Sequence, residues 1–378
     1  MKPNILHSLL TMAVLLVLAS CKGGSTVSIL DNTATIDMKY ATLLTMQEGD
    51  GFVLAQIKNP WDTTRILHSY VLVPKGNDMP TDLPQGDIVR TPLSHALLYT
   101  SLHVSLIDEL GAYDIISGLC DQQYMHIDKV RRDIERGRLV DCGMSTTPDI
   151  ERIMDLAPDA ILLSPFENSG TYGKLGSMGI PIIECADYME TSPLACAEWM
   201  RFYGLLTGRR ETADSLFAAI ESDYNAMKDL VSGIKQKPTV VCGKKLGASW
   251  YVAGANSTIG QLVADAGGNY VFSDELAMGS VPYAPEKVFD RAQSADIWLF
   301  KYRQEVPMTY AQLAQEWNNY AEMSAFKQRN VYGCNLFYID YYEETPFHPN
   351  LLLRDYISVF HPDVLEHQQT RYFTRIEQ

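Results

Sequence analysis

Two glutamates hold matching places in a fragment that occurs twice in the chain. Glu151 begins the stretch Glu151–Ala157, and Glu286 begins the similar stretch Glu286–Ala292, 135 positions later. Each stretch follows a proline and leads to an apolar strand, which predicts that each glutamate lies in the first turn of a helix. A carboxylate there stabilises the helix dipole by about 0.3–1 kcal/mol. Alternatively, two equivalent carboxylates bind arginines of a symmetric partner through charge-assisted hydrogen bonds, and the sequence leaves both roles open.

The spacing of histidine and cysteine is not that of a metal centre. No HxH, HxxxH or Cys-x-x-Cys pattern is present, although such patterns are typical of protein zinc sites. Three histidines are nevertheless candidate metal ligands. His95 and His103 lie on one predicted helix, and His126, beside Tyr124, is a candidate ligand of haem iron. Isolated histidines are more often structural, so we predict no bound metal ion and no cofactor of the protein's own. The sequence also lacks HExxH, GxSxG and Walker motifs, which favours a protein that is not an enzyme.

Strands and helices alternate from Asp87 onwards, which predicts an α/β fold. A long helix at 211–234 carries apolar residues at helical spacing throughout, and its length of roughly 35 Å is enough to join two lobes. The first lobe is predicted to begin with a helix at Pro92–Leu110, and the strand–helix pattern restarts after Pro238. Residues 29–86 are strand-like and precede the first lobe.

The predicted fold class is therefore α/β, with two Rossmann-like lobes joined by a long backbone helix and with an N-terminal β-rich extension. The predicted boundaries are 1–20 for a signal peptide, 21–86 for a tether and the extension, 87–208 for the N-terminal lobe, 209–236 for the backbone helix and 237–378 for the C-terminal lobe.

The N-terminus has the pattern of a bacterial lipoprotein signal. Lys2 precedes a largely apolar run from Ile5 to Leu18, and the run ends in Leu18-Ala19-Ser20-Cys21, which resembles a lipobox. We predict that lipid on Cys21 anchors the mature protein to a membrane in the periplasm, and the leaflet is left open. A plain secretory signal is the weaker alternative. Six further cysteines are either buried thiols or disulfide-bonded.

The charge of the chain excludes some partners. The 378 residues include 46 acidic and 31 basic side chains, for a formal net charge of −15. Such a protein repels phosphates, so we predict no nucleic-acid partner.

From about Asp87 to Leu365 the chain resembles the class III substrate-binding proteins of ABC importers, which bind ferric siderophores, haem or cobalamin. The resemblance depends on the order of five motifs: Leu106–Gly111, Asp149–Asp159, Leu175–Ile182, Gly204–Gly208 and Leu262–Gly268. It implies a fold of two lobes with a helical backbone. It also implies that Glu151 and Glu286 dock onto arginines of an ABC permease dimer.

Ligands of open α/β sheets bind at the carboxyl ends of the strands, so a cleft between the lobes is the expected ligand site. The loops at those ends are rich in aromatic residues, whose flat faces suit a large metal complex, and Arg303 is suited to pair with an anionic ligand. The predicted ligand-binding residues are Tyr124, Met144, Phe166, Trp250, Tyr283, Tyr302, Arg303 and Tyr341.

The predicted function is capture of a metal complex (ferric siderophore, cobalamin or haem) and its delivery to an ABC permease. The alternative is a surface-exposed accessory lipoprotein that hands such a ligand to an outer-membrane receptor. Residues 29–86 would then be a docking module, whereas a β-strand apron packed on the first lobe is the simpler interpretation of that segment.

Overall fold

The computed structural model of the protein describes residues 33–167 and 172–377. The predicted signal peptide and Cys21 lie outside the described residues, so the signal peptide and the lipid on Cys21 stay predictions. Within the two described ranges, none of the helices combines the length and the apolar character that crossing a bilayer requires.

The N-terminal extension folds as a five-stranded sheet in the order β1-β2-β3-β4-β5. Neighbouring strands within this sheet are antiparallel, except that β4 and β5 are parallel. The sheet therefore continues beyond residue 86, where the sequence predicts the start of the first lobe. The strands are β1 (Ala34–Ile36), β2 (Leu44–Gly49), β3 (Phe52–Asn59), β4 (Asp62–Pro74) and β5 (Asp87–Thr91).

Between β1 and β2 the chain leaves the sheet and binds to two buried carboxylates of the first lobe. Glu198 accepts hydrogen bonds from the backbone N–H groups of residues 39, 40 and 41 at 2.8 Å. Glu190 accepts from the N–H groups of Thr42 and Leu43 at 2.9–3.1 Å. Since these N–H groups bond to side chains rather than to a neighbouring strand, residues 39–43 are not part of a strand, although they lie in the segment 29–86 that the sequence predicts to be strand-like. The extension is thus packed on the first lobe, as the apron interpretation predicts.

The first lobe contains a five-stranded sheet in the order β12-β11-β6-β7-β8, in which all neighbours are parallel. A short antiparallel hairpin of β9 and β10 lies beside it. The elements are β6 (Ala96–Leu98), α1 (Ser101–Glu109), β7 (Ile116–Leu119), α2 (Asp128–Glu135), β8 (Val140–Asp141), β9 (Gly143–Met144), β10 (Thr147–Pro148), α3 (Ile150–Leu156), β11 (Ala160–Leu163) and β12 (Ile182–Glu184).

The helix predicted at Pro92–Leu110 is wrong in its first half. Ala96–Leu98 is the central strand of the first-lobe sheet, and α1 begins only at Ser101, where the side chain of Thr100 caps it. A short apolar run that is buried on both faces has no alternation to distinguish a strand from a helix. His95 therefore lies outside the helix and is exposed, whereas His103 is buried on α1, so the two histidines do not form a pair.

A long helix joins the two lobes. After α4 (Pro193–Glu198) and α5 (Met200–Thr207), helix α6 (Arg210–Val231) runs for 22 residues, or about 33 Å. It packs against α5 of the first lobe and against the helix Pro349–Phe360 of the second. The predicted backbone helix, 211–234, is confirmed to within one turn.

The second lobe repeats the plan of the first. Its main sheet has the order β16-β13-β18-β19-β20, parallel except for the last pair, and β14, β15 and β17 form a smaller antiparallel sheet. The elements are β13 (Thr239–Cys242), β14 (Lys245–Leu246), β15 (Ser249–Ala253), α7 (Thr258–Asp265), β16 (Asn269–Tyr270), β17 (Ser280–Tyr283), α8 (Pro285–Ala292), β18 (Ile297–Tyr302), α9 (Tyr310–Glu316), α10 (Ser324–Lys327), β19 (Val331–Asn335), α11 (Tyr341–Glu344), α12 (Pro349–Phe360) and β20 (Thr374–Arg375). The predicted fold class is confirmed.

Two further contacts hold the lobes together near the C-terminus. Helix α11 packs against α1 of the first lobe, where Ser101 donates a hydrogen bond of 2.9 Å to Glu343. His348 lies 2.8 Å from the Glu109 carboxylate. One continuous hydrophobic core extends through the extension and both lobes. The six described cysteines beyond Cys21 are buried free thiols, so the disulfide alternative is wrong.

Candidate ligand cleft

The first lobe has a cavity of about 680 Å³ at the carboxyl ends of β6 and β11. Tyr99 follows β6 and Ser164 follows β11, so the parallel strands aim both residues at the same edge of the sheet. The rings of Phe166 and Tyr172 meet edge to face, with centroids 6.3 Å apart. Aromatic faces, hydroxyl groups and one lysine, Lys174, therefore line this first-lobe pocket.

The extension reaches this first-lobe pocket through a chain of polar contacts. The Tyr172 hydroxyl donates a 2.7 Å hydrogen bond to the buried Glu184, whose other oxygen lies 3.4 Å from His68 on β4. His68 also lies 2.9 Å from Asp87 on β5. Burial by itself lowers the pKa of His68, but the two carboxylates outweigh it and the net pKa shift is upward. The position of Tyr172 is thus coupled to the extension.

The second lobe has a cavity of about 380 Å³ at the carboxyl ends of β13, β18 and β19. Lys244 and Lys245 follow β13, and Lys301 lies near the end of β18. The Lys301 ammonium lies 4.5 Å from the ring centroids of both Tyr341 and Tyr342. Burial by itself lowers the pKa of Lys301, but the two tyrosines outweigh it and the net pKa shift is upward. This second-lobe pocket therefore holds a fixed positive charge.

A contact between the lobes is connected by hydrogen bonds to one residue of each pocket. His126, in the loop after β7, contacts the Arg303 guanidinium just after β18. The same loop begins at Asp121, whose carboxylate accepts a 3.0 Å hydrogen bond from the backbone of Ser145 in the first-lobe pocket. Arg303 donates a 2.9 Å hydrogen bond to the carbonyl of Leu336 in the second-lobe pocket. Each pocket is lined by residues of one lobe, and one residue of each is hydrogen-bonded to a loop of this junction, so a ligand site between the lobes stays a prediction.

The predicted ligand-binding residues divide into an exposed and a buried group. Tyr124, Met144 and Phe166 are 63%, 43% and 60% exposed, and Arg303 is exposed at the junction. Tyr283 is half-buried, and its hydroxyl bonds to Glu275. Phe166 lines the first-lobe pocket, and Tyr341 borders the second-lobe pocket although it is largely buried.

Trp250 and Tyr302 belong to the core of the second lobe. Trp250 is fully buried among Trp298, Trp317 and Tyr320, and its indole N–H donates a 3.3 Å hydrogen bond to Cys242. Side chains alternate along a strand. Trp250 therefore faces inward on β15, whereas its neighbour Tyr251 is 48% exposed and lines the second-lobe pocket. On β18 the same alternation buries Tyr302 and turns Lys301 to the pocket.

Sequence reasoning therefore missed Tyr251, Lys301 and Lys245 as pocket residues. The period of two places Tyr251 opposite Trp250 on β15 and Lys301 opposite Tyr302 on β18, but it does not say which face is buried. For Lys245, the signal is its position shortly after the buried strand β13, which ends at Cys242.

The part of the chain that forms most of the two lobes matches a known family. Residues 99–335, more than half of the chain, match the family model described as periplasmic binding protein. The chain belongs to the periplasmic binding protein family. The matched range leaves out the sheet of the extension and the segment after β19.

Similar proteins agree with this assignment. An uncharacterized lipoprotein of Methanocaldococcus jannaschii is 22% identical over 301 residues, which cover 76% of this chain and 70% of that protein. A periplasmic heme binding protein from Pseudomonas aeruginosa has a TM-score of 0.57 at 14% identity, covering 76% of this chain and 99% of its own. A protein of an ABC-type Fe3+-hydroxamate transport system from Saccharomonospora viridis has a TM-score of 0.54 at 18% identity, covering 71% and 94%. The resemblance to class III binding proteins is confirmed at the level of family and fold.

In this periplasmic binding protein the two repeated glutamates have equivalent surroundings. Glu151 lies in the first turn of α3 and Glu286 in the first turn of α8, and both are exposed. Helix α3 leads to β11 and α8 leads to β18, each an interior strand of its own sheet. The repeat therefore places one carboxylate at the surface of each lobe.

One buried cluster of the binding protein combines residue types that can ligate metals. Ligand atoms of His103, Cys185 and Asp187 all lie within 4.8 Å of one another. His103 is 3.1 Å from the Asp187 carboxylate, which also accepts a 2.7 Å hydrogen bond from Tyr203. Burial by itself lowers the pKa of His103, but Cys185 and Asp187 outweigh it and raise the pKa to about 10. In the structure the arrangement is that of a buried pair of His103 and Asp187, to which the Tyr203 hydroxyl is also bonded.

Proposed function

We propose that the protein is a lipid-anchored substrate-binding protein of an ABC importer, and that it captures a metal complex between its lobes and delivers it to the permease. The observation that carries this proposal is the contact of His126 with Arg303, because it joins two loops at the carboxyl ends of two separate sheets, and each loop is hydrogen-bonded to a residue of one pocket. A ligand in this cleft would contact both lobes. Binding would then favour one arrangement of the lobes over others.

The shape and lining of the two pockets support this class of ligand. The two cavities of about 680 and 380 Å³ each have a volume that is usual for a small-molecule or cofactor site. Their aromatic rims suit flat or apolar ligand faces. The heme-binding protein and the Fe3+-hydroxamate transport protein among the structural neighbours support a metal complex as the ligand.

Delivery would use the exposed carboxylates of Glu151 and Glu286. Arginines bind carboxylates with two parallel hydrogen bonds, which gives such contacts a defined geometry. Two equivalent carboxylates, one on each lobe, fit a permease dimer with two equivalent arginine sites. Lipid on Cys21 would keep the protein at the membrane, and protease treatment of intact cells would separate a periplasmic location from a surface one.

The proposal is tested by titrating purified, lipid-free protein with haemin, cyanocobalamin, a ferric tricatecholate and a ferric trihydroxamate. We expect saturable binding of one class of complex with one molecule per chain, followed by tryptophan fluorescence. Failure of all four complexes to bind would contradict the proposal. The bound complex should remain chemically unchanged, because we expect no catalytic turnover.

A further inference from the structure

A histidine of the extension lies between two carboxylates that come from different parts of the chain. His68, on β4, has its Nε2 atom 2.9 Å from Asp87 on β5. Its Nδ1 atom lies 3.4 Å from Glu184 at the end of β12. A neutral imidazole has one N–H group, whereas a protonated imidazole has two. Because both ring nitrogens face a carboxylate, the surroundings of His68 favour the protonated form.

The carboxylate of Glu184 is buried, and its two oxygens have different surroundings. Oε1 accepts the 2.7 Å hydrogen bond from the Tyr172 hydroxyl, while Oε2 accepts no hydrogen bond within 33–167 and 172–377. A buried carboxylate is costly without an opposite charge nearby, and the imidazole of His68 lies beside Oε2. The positive charge of protonated His68 therefore compensates the buried negative charge of Glu184.

His68 is the group of this cluster that titrates near neutral pH. The Tyr70 ring stacks on its imidazole with centroids 4.5 Å apart, and burial, aided by the Glu184 carboxylate, raises the pKa of Tyr70 well above its usual 10. Cys185 is a buried thiol, and in the described part of the chain neither Asp87 nor Glu184 pairs with a lysine or arginine. Burial lowers the pKa of His68, but the two carboxylates raise it by more, so the net shift is upward from 6.5.

Tyr172 forms part of the wall of the first-lobe pocket, and its backbone conformation is unusual. Its φ is 50°, in the left-handed region that residues with a side chain rarely adopt. Such a conformation persists where surrounding contacts hold it. The bond from the Tyr172 hydroxyl to Glu184 and the edge-to-face contact with Phe166 are two of these contacts. A change in the charge around Glu184 would therefore act on the wall of the pocket.

This cluster joins a part of the chain that the family match leaves out to a part that it includes. The match covers residues 99–335, so His68 and Asp87 lie outside it, whereas Tyr172 and Glu184 lie inside. His68 is half-buried and lines a separate cavity of about 430 Å³ on the sheet of the extension. It can therefore exchange its proton with solvent from a side that is distinct from the ligand pocket.

We propose that the extension makes ligand binding depend on a proton, because protonated His68 holds Glu184, and Glu184 holds Tyr172 as one wall of the first-lobe pocket. The pocket then binds its ligand most tightly when His68 is protonated. His68 and Glu184 are positioning residues, since neither lines this pocket. The effect on affinity rests on the proposed function, whereas the proton-dependent position of Tyr172 does not.

The pH dependence of Kd tests the effect on affinity. Cyanocobalamin and a ferric trihydroxamate without ionisable side groups are suitable probes, because their charge is constant near neutral pH. As the pH rises through the folded-state pKa of His68, which lies above 6.5, we expect the Kd to rise by about fivefold or more. His68→Gln, which cannot carry the charge, should bind weakly at every pH and show no such rise. For haemin or a ferric tricatecholate, the comparison with His68→Gln removes the titration of the complex itself.

His367→Gln is the matched control. His367 is exposed and lies 3.4 Å from the carboxylate of Asp363, but it lines neither pocket, so this variant should keep the wild-type pH profile. A flat wild-type profile, or a slope that His68→Gln retains, would overturn the effect on affinity. Tyr172→Phe keeps the ring and removes the hydroxyl, so it should also flatten the profile. A slope retained in Tyr172→Phe would overturn the inference even if His68→Gln failed to fold.

A measurement without ligand tests the position of Tyr172 itself. With 3-fluorotyrosine at position 172, the fluorine resonance of the otherwise wild-type protein should shift as His68 titrates, and this shift should be absent in His68→Gln. A resonance with the same pH dependence in both proteins would overturn the inference. If the shift depends on His68 but none of the four metal complexes binds, the proton-dependent position of Tyr172 is supported and the proposed function is wrong.

Discussion

The buried carboxylate of Glu198 accepts a 2.8 Å hydrogen bond from the backbone N–H of Tyr40. Glu198 belongs to the first lobe and Tyr40 to the extension, so this bond joins two parts of the protein that are distant in sequence. Glu221 on α6 adds a second connection, because it accepts a 2.7 Å hydrogen bond from the Tyr40 hydroxyl. The extension is thus fixed to the first lobe and to the backbone helix together.

Replacing Glu198 should destabilise the protein. Glu198→Ala leaves three backbone N–H groups without their acceptor, and we expect the free energy of unfolding to fall by about 3 kcal/mol. Urea denaturation measures this change. Glu211→Ala is the control, because Glu211 is exposed at the start of α6 and should cost less than about 0.5 kcal/mol. Similar losses for the two variants would contradict the role of Glu198.

Charge reversal at both docking glutamates should separate transport from binding. Glu151→Lys with Glu286→Lys should abolish uptake of the complex and leave its Kd unchanged, because both side chains are exposed and neither lines a pocket. Uptake in cells and fluorescence titration measure the two quantities. Glu211→Lys is a matched control, since Glu211 also lies in the first turn of a helix. A loss of ligand affinity in the double variant, or normal uptake, would contradict the docking role.

The buried ion pair of His103 and Asp187 should make stability depend on pH. The folded-state pKa of His103 is about 10, above its usual 6.5, so the folded protein holds this proton more tightly than the unfolded chain. The contribution is fully present below pH 6.5 and is lost as the pH rises towards 10. Thermal unfolding should show the Tm falling across this window, with a shallower fall in Asp187→Asn. Parallel curves for the wild type and the variant would show that the pair contributes nothing.

Phe166 and Trp250 should respond in opposite ways to truncation. Phe166 is 60% exposed beside the first-lobe pocket, so Phe166→Ala should leave stability nearly unchanged and weaken ligand binding by about tenfold. Trp250 is fully buried, and Trp250→Ala should cost about 3–5 kcal/mol of stability. Urea denaturation and titration of each variant measure both effects. If Trp250→Ala were as stable as the wild type, the core position of Trp250 would be wrong.

The sequence was most informative where a pattern is long or repeated. Helix α6 has apolar residues at helical spacing over its whole length, and its predicted bounds agree with the structure to within a turn. The repeated stretches after Pro148 and Pro285 correctly predicted a glutamate in the first turn of each helix. Periodicity of this kind is local, so it can be detected without knowledge of tertiary contacts.

The sequence was least informative where a distant partner decides the local structure. Ala96–Leu98 is a strand because β7 and β11 flank it, and segment 39–43 leaves its sheet because Glu190 and Glu198 accept its N–H groups. The choice between Trp250 and Tyr251 as the pocket residue depends on which face of β15 is buried. Each face of β15 carries one of these two aromatic side chains, and the alternation alone does not say which of them points inward.

The central claim is that one metal complex contacts both lobes, and a crystal structure with the bound complex tests it most directly. We predict electron density for the complex between Phe166 and Tyr172 of the first lobe and Lys301 and Tyr342 of the second, beside the junction of His126 and Arg303. A complex bound to one lobe alone, or on the sheet of the extension, would contradict this account.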